Sequence, residues 1–135
     1  MPHLATLFFR TAVVFLIIGI AMGLQMAISG THNVIGAHAH ANLLGWATMA
    51  IFGGYYALNP AKAQTRLANL QYWVYTAGVA VMVPSLYLLL LGYAAIEPLV
   101  ALSSLVSAAG VLMFAVIVYS KEPAARMASG AIAAE

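Results

Sequence analysis

Apolar residues run almost unbroken through four stretches, Thr11 to Ser29, Ala41 to Leu58, Leu70 to Leu91 and Leu99 to Tyr119, and none of them contains Asp, Glu, Lys or Arg. Each is close to the roughly 20 residues that a helix needs to cross about 30 Å of hydrocarbon. The pattern predicts an all-α fold, an integral membrane four-helix bundle over residues 1–122, with helices at 11–29, 41–58, 70–91 and 99–119. Helices 1 and 2 would form one hairpin and helices 3 and 4 another. Residues 123–135, rich in Ala, read as a cytoplasmic tail. The first stretch is longer than the roughly 7 to 15 apolar residues of a signal peptide, and Ala27-Ile28-Ser29 is a weak cleavage signal, so it is read as a helix.

Small and special residues inside the stretches predict how they pack. Gly19 and Gly23 make a GxxxG pattern, Gly45, Gly53 and Gly54 mark the second helix, and Ser103, Ser107 and Gly110 mark the fourth. In lipid such residues let backbones approach closely, here within one chain rather than across a dedicated dimer face. Pro84 removes a backbone donor in the third helix, and Ser85 or Thr76 could serve the freed groups. Trp46, Tyr55, Tyr56, Tyr72, Trp73 and Tyr75 read largely as an interfacial aromatic belt.

Composition agrees with lipid as the solvent: 64% of residues are hydrophobic and 6% charged, against about a quarter charged in soluble domains. A net charge of +2 gives no reason to expect a nucleic-acid partner. Cysteine is absent, which removes disulfides and thiolate metal sites from consideration. The few cations set an orientation. Arg10 precedes helix 1, Lys62 and Arg66 lie between helices 2 and 3, and Lys121 and Arg126 follow helix 4, whereas the other two loops hold no Lys or Arg. Both termini are therefore predicted to be cytoplasmic, with residues 30–39 facing outward.

That outward segment carries the chemistry. His32, His38 and His40 are three of the four histidines in the chain, gathered at the mouth of an apolar helix. Imidazole is a common ligand for transition metals and haem iron because its neutral nitrogen offers a lone pair without a charge to bury. On a regular helix His38 and His40 point about 200° apart and cannot chelate one ion together. His40, nearer the apolar run, is the better candidate for a buried ligand. Asn42, four residues after His38, could fix that ring by a hydrogen bond. His3 reads as a solvated interfacial residue.

The stretch His40-Ala41-Asn42-Leu43-Leu44-Gly45-Trp46, running on to Gly53-Gly54-Tyr55-Tyr56-Ala57-Leu58-Asn59-Pro60, resembles the second transmembrane helix of the haem-copper oxidase superfamily. The likeness is closest to catalytic subunits of bacterial nitric oxide reductases and cbb3-type oxidases. There a histidine followed two residues later by asparagine opens the helix, and a tyrosine pair with a nearby proline closes it. The resemblance implies haem b with His40 as an axial iron ligand, and the bacterial inner membrane with the histidines on the periplasmic side. It covers residues 40–60, and the chain departs from the family elsewhere. Helices 3 and 4 contain no histidine, so the other haem and metal ligands of a catalytic subunit have no counterpart. The outer loops lack the arginines that meet haem propionates in those relatives.

The function expected from this reading is haem b binding for electron transfer or for response to nitric oxide or oxygen. The second axial position would be filled by His32 or His38, by a histidine of another copy in a homo-oligomer, or left open for a gas. Two imidazoles favour electron transfer and a vacancy favours gas binding. A rival reading gathers His32, His38 and His40 around copper or zinc, provided that the backbone before Ala41 is not helical, as Gly36 permits. A third is a non-catalytic scaffold or assembly subunit. Catalysis has no support in the sequence: no nucleophile pairs with a base, and Glu97 is a solitary carboxylate.

Overall fold

The structure, a computed structural model, describes residues 1–121, and within them all regular structure is helical. Helix α1 spans His3–Ser29 and ends at Gly30, whose φ of 67° supplies the left-handed C-cap that glycine adopts without strain. Helix α2 is an unbroken helical run over 35–58, made of an α segment Ile35–His40, a π-helical segment Ala41–Thr48 and an α segment Met49–Leu58. A short helix α3, Pro60–Ala63, leads to α4, Arg66–Leu90. Thr65 caps α4, its hydroxyl oxygen accepting from the Ala68 N–H at 3.2 Å. A 3-10 turn, Ala94–Ile96, then opens onto α5, Glu97–Tyr119, which has Pro98 in its first turn.

By length and apolarity His3–Ser29, Arg66–Leu90 and Ala94–Tyr119 can each cross a membrane. The expected C-terminal boundaries lie within a residue of the observed ones, whereas every helix starts earlier than the apolar runs predict. Helix α1 begins eight positions before Thr11, so Arg10 lies inside it, and α2 begins before His38 and His40 rather than after them. Charged and polar residues end an apolar run, but a helix can continue past that point. Residues 122–135, which include Arg126 and the expected tail, lie outside the described residues.

Packing follows a seven-residue rhythm. On α1 the buried positions Ala5, Phe8, Ala12, Phe15, Gly19, Met22 and Met26 alternate steps of three and four, the repeat of a left-handed helix seam. On α5 Ser103, Ser107, Gly110 and Ile117 are buried on the same rhythm, with Phe114 packed against the core between the last two. Helix α1 lies along α2, and α4 lies along α5. Glycines sit where a facing side chain fills the space. A Cβ on Gly45 would run into the Phe15 ring, and one on Gly78 would come within 2.7 Å of the Ser107 backbone nitrogen. The GxxxG pair is used in the same way: Gly19 faces Asn42 and Gly23 faces His38.

Half of the aromatics read as a belt are core instead. Tyr56, Tyr72 and Tyr75 are buried, while Trp73 is 64% exposed. Phe8 stacks on Tyr56 at 5.6 Å and meets Tyr72 edge-on at 4.9 Å, and Phe52 joins this cluster to Phe114 of α5 at 4.1 Å. Such rings pack with offset or edge geometry that adds to their burial. Polar tips find partners: Tyr56 donates to Gln71 Oε1 at 3.2 Å, and Tyr75 donates to the Leu44 carbonyl at 3.1 Å.

Lys62, expected as a loop cation between helices 2 and 3, is buried. Its ammonium donates to Tyr55 OH at 3.0 Å, to the Ile117 carbonyl at 2.9 Å and to the Val118 carbonyl at 3.0 Å. All three protons are used, and the cation sits at the C-terminal end of α5, where the orphan carbonyls and the helix dipole favour it. At Pro84 the expectation fails. Ser85 Oγ donates to the Val81 carbonyl at 2.7 Å, not to that of Ala80, which Pro84 cannot serve. Thr76 Oγ1 has no partner.

Candidate functional site

The first turns of α2 fix two of the histidine rings. His38 Nδ1 lies 2.8 Å from the Gly19 carbonyl of α1, and His40 Nδ1 lies 2.7 Å from the Gly36 carbonyl one turn back in its own helix. A carbonyl oxygen only accepts, so each Nδ1 carries the proton. In the neutral ring Nε2 then bears the lone pair, the state in which imidazole binds metals. Both residues are half-buried.

The two rings serve different sides of α2. His38 packs toward α1, where a Cβ on Gly23 would lie 3.1 Å from its Cε1. His40 lies between Gly36 and Leu44, and both of these meet α4. A Cβ on Gly36 would lie 3.3 Å from Leu90 Cδ1, and the Leu44 carbonyl accepts from Tyr75. The α segment Ile35–His40 carries both rings on regular helical backbone, so the non-helical condition for gathering three histidines around one ion is not met. His32 is exposed in the preceding turn, where its carbonyl accepts from the Ile35 N–H at 3.4 Å. Among the described residues, no three His, Cys, Asp or Glu side chains converge to hold a metal ion.

Asn42 lies on the His38 face, as the spacing requires, but its amide donates to the His38 carbonyl at 2.9 Å. Its Nδ2 is 3.5 Å from His38 Nδ1, a nitrogen whose proton already points at Gly19, so it cannot also accept from the amide. Asn42 therefore fixes the backbone of that turn and fills the space beside Gly19. His3 is exposed at the opposite end of α1 from Gly19 and Gly23.

The feature that sequence reading missed is the π-helix. It begins at Ala41, immediately after His40, and covers Asn42, Gly45 and Trp46. Thr48 Oγ1 donates five residues back, to the Leu43 carbonyl, at 2.8 Å, and the Leu44 carbonyl is open to Tyr75. Widened turns of this kind occur often at functional positions. A signal was present: Ala37, Ala41, Gly45 and Met49 are buried at every fourth residue, a wider spacing than the three-and-four alternation on α1.

Among the described cations, Lys62 and Arg66 lie at or beyond the Leu58 end of α2, away from the histidines. Groups near the rings that could meet an anion are Asn33, exposed backbone and His32. The chain matches no protein-family profile, and no curated protein and no solved structure is significantly similar to it.

Proposed function

We propose that this chain is a membrane-embedded haem b protein for electron transfer or diatomic-gas binding, with His40 as the iron ligand. The observation that carries the reading is the bond from His40 Nδ1 to the Gly36 carbonyl at 2.7 Å. It fixes the tautomer and leaves Nε2 as the free donor, on a ring that is only half-buried and so open to a ligand. Metal-ligating histidines are commonly held by such a backbone bond. The likeness of residues 40–60 to the second helix of haem-copper oxidases supports the same residue. So does the π-helix that starts directly beneath it.

In this reading α1, α2, α4 and α5 all cross the bilayer. Both termini are cytoplasmic, and His32, His38 and His40 lie at the outer surface. His38 is committed to α1 and turned away from His40. The second axial position is then served from another copy of the chain, by the exposed His32, or by a gas. Bound haem would supply one-electron chemistry when its two axial positions are filled, and diatomic-gas binding when one is open. The protein's own contribution is to orient Nε2 through Gly36 and to leave propionates to Asn33, backbone donors and water.

The test is an absorption spectrum of the detergent-purified chain, oxidised and then dithionite-reduced, from cells supplied with haem. Sharp reduced α and β bands with a Soret maximum support the proposal. A featureless spectrum would sink it, and metal analysis of the same sample would then separate a bare copper or zinc site from a scaffold.

A further inference from the structure

One carbonyl of the π-helical segment Ala41–Thr48 is met from another helix. In a register that bonds each carbonyl to the fifth residue on, the Leu44 carbonyl is due the Met49 N–H, but that N–H donates to the Trp46 carbonyl. The Tyr75 hydroxyl, reaching across from α4, donates to Leu44 in its stead at 3.1 Å. Tyr75 is fully buried and held on two sides. Its ring meets Phe52 at 5.0 Å, and its Cβ lies 2.7 Å from where a Cβ on Gly110 of α5 would stand. The hydroxyl is a fixed point against which the π segment is set.

The register decides where the histidines stand. A segment bonded to the fifth residue takes up about one residue more than an α-helix does, so reverting it to α would turn the flanking helix by about 100°. Met49–Leu58 is not free to turn, because Phe52 and Tyr56 are packed among Phe8, Phe114 and Tyr75. The turn would fall on residues 35–42. His38 and Asn42 would move to the places of Ala37 and Ala41, both 0% exposed, and His40 to that of Ala39. The π register therefore keeps alanines against the core and aims both rings.

We infer that the Tyr75 hydroxyl is a positioning group for His40, acting through the Leu44 carbonyl to hold that register. Without it the carbonyl is unpaired in apolar surroundings, which is costly. The remedy inside the helix is the Thr48 N–H four residues on, and that bond is the α register. The consequence for haem rests on the proposed function; the register itself does not.

The experiment is oxidative cross-linking of the full chain in detergent, which has no native cysteine. A Cβ on Gly36 would lie 3.3 Å from Leu90 Cδ1, so the pair Gly36→Cys and Leu90→Cys reports the π register. In the α register Ala37 takes that place, and Ala37→Cys with Leu90→Cys reports it. Tyr75→Phe should raise the second cross-link relative to the first about fivefold, the shift expected from one lost hydrogen bond. Deleting Leu43, which is 64% exposed, removes the surplus residue, so adding that deletion to Tyr75→Phe should restore the original ratio. Tyr72→Phe, which takes the same hydroxyl from α4 where it meets Thr11, should leave the ratio unchanged. A ratio indifferent to Tyr75→Phe, an equal response to Tyr72→Phe, or no rescue by the deletion would each overturn the inference. With haem bound, the reduced α band should broaden in Tyr75→Phe and sharpen again with the deletion. Cross-links that move beneath an unaltered α band would overturn the aiming of His40, whereas cross-links that move as stated in a chain without haem bands overturn the haem reading alone.

Discussion

His38 and Gly19 are joined by a hydrogen bond of 2.8 Å from the imidazole Nδ1 to the main-chain carbonyl. The bond crosses from α2 to α1 at a point where the helices touch, because Gly19 has no side chain to hold Asn42 away. One histidine of the cluster is thus a fastening between helices, and a second, His40, is fastened only to its own helix. The division separates the two by role before any ligand is considered.

Removing each ring should therefore have different consequences. His40→Ala is expected to abolish the reduced haem spectrum while leaving a folded chain. His38→Ala should keep that spectrum and lower stability by about 1 kcal/mol, the worth of an ordinary hydrogen bond. Spectra and thermal unfolding of both variants in detergent check this. Haem retained in full by His40→Ala would show that the ligand lies elsewhere.

Glycines that look alike in sequence should behave differently. Gly19→Ala places a Cβ 2.6 Å from Asn42 Oδ1, and displacing that amide from the His38 carbonyl it serves should cost about 1–3 kcal/mol. Gly54 has nothing within 4 Å of an added Cβ, so Gly54→Ala should be neutral or stabilising by up to about 1 kcal/mol from helix propensity. Unfolding midpoints measured side by side decide the matter; equal losses would contradict the packing described for α1 and α2.

Lys62→Met should destabilise the chain by about 2 kcal/mol or more, since it removes charge-assisted bonds to two carbonyls at the end of α5. The loss should be local first, with hydrogen exchange rising at residues 115–119 before it rises at 5–26. Unchanged exchange at the α5 terminus would refute the capping role.

Orientation can be tested cleanly because the chain has no native cysteine. A single cysteine at exposed Asn33 should react with a membrane-impermeant maleimide added to intact cells, and one at exposed Gln64 should react only after lysis. The reverse pattern would place the histidine cluster in the cytoplasm.

Several of these features were legible in the sequence and several were not, for physical reasons. The apolar runs located the helix ends at Ser29, Leu58 and Tyr119, because there the apolar run and the helix stop together. They misplaced the starts, since Arg10, His38 and Arg66 are tolerated on helical backbone that extends past the apolar run. The histidines and Asn42 were visible as a cluster, but not which carbonyl each would meet, because Gly19 is remote in sequence from His38. The π segment escaped because small residues at every fourth position, Ala37, Ala41 and Gly45, read equally well as the packed face of an ordinary helix, and its hydrogen bonds shift by only a single position. Nothing local to Lys62 announces that residues 117 and 118 will return to cover it.

That distant partnership has a consequence for the order of assembly. Lys62 follows α2 in the chain, yet two of its three acceptors belong to the last turn of α5. During synthesis its ammonium lacks these two acceptors until Ile117 and Val118 have emerged and packed. Only then can it be drawn under the end of α5. The capping of Lys62 is thus tied to completion of α5, and a chain halted before Ile117 would leave that ammonium without two of its three acceptors.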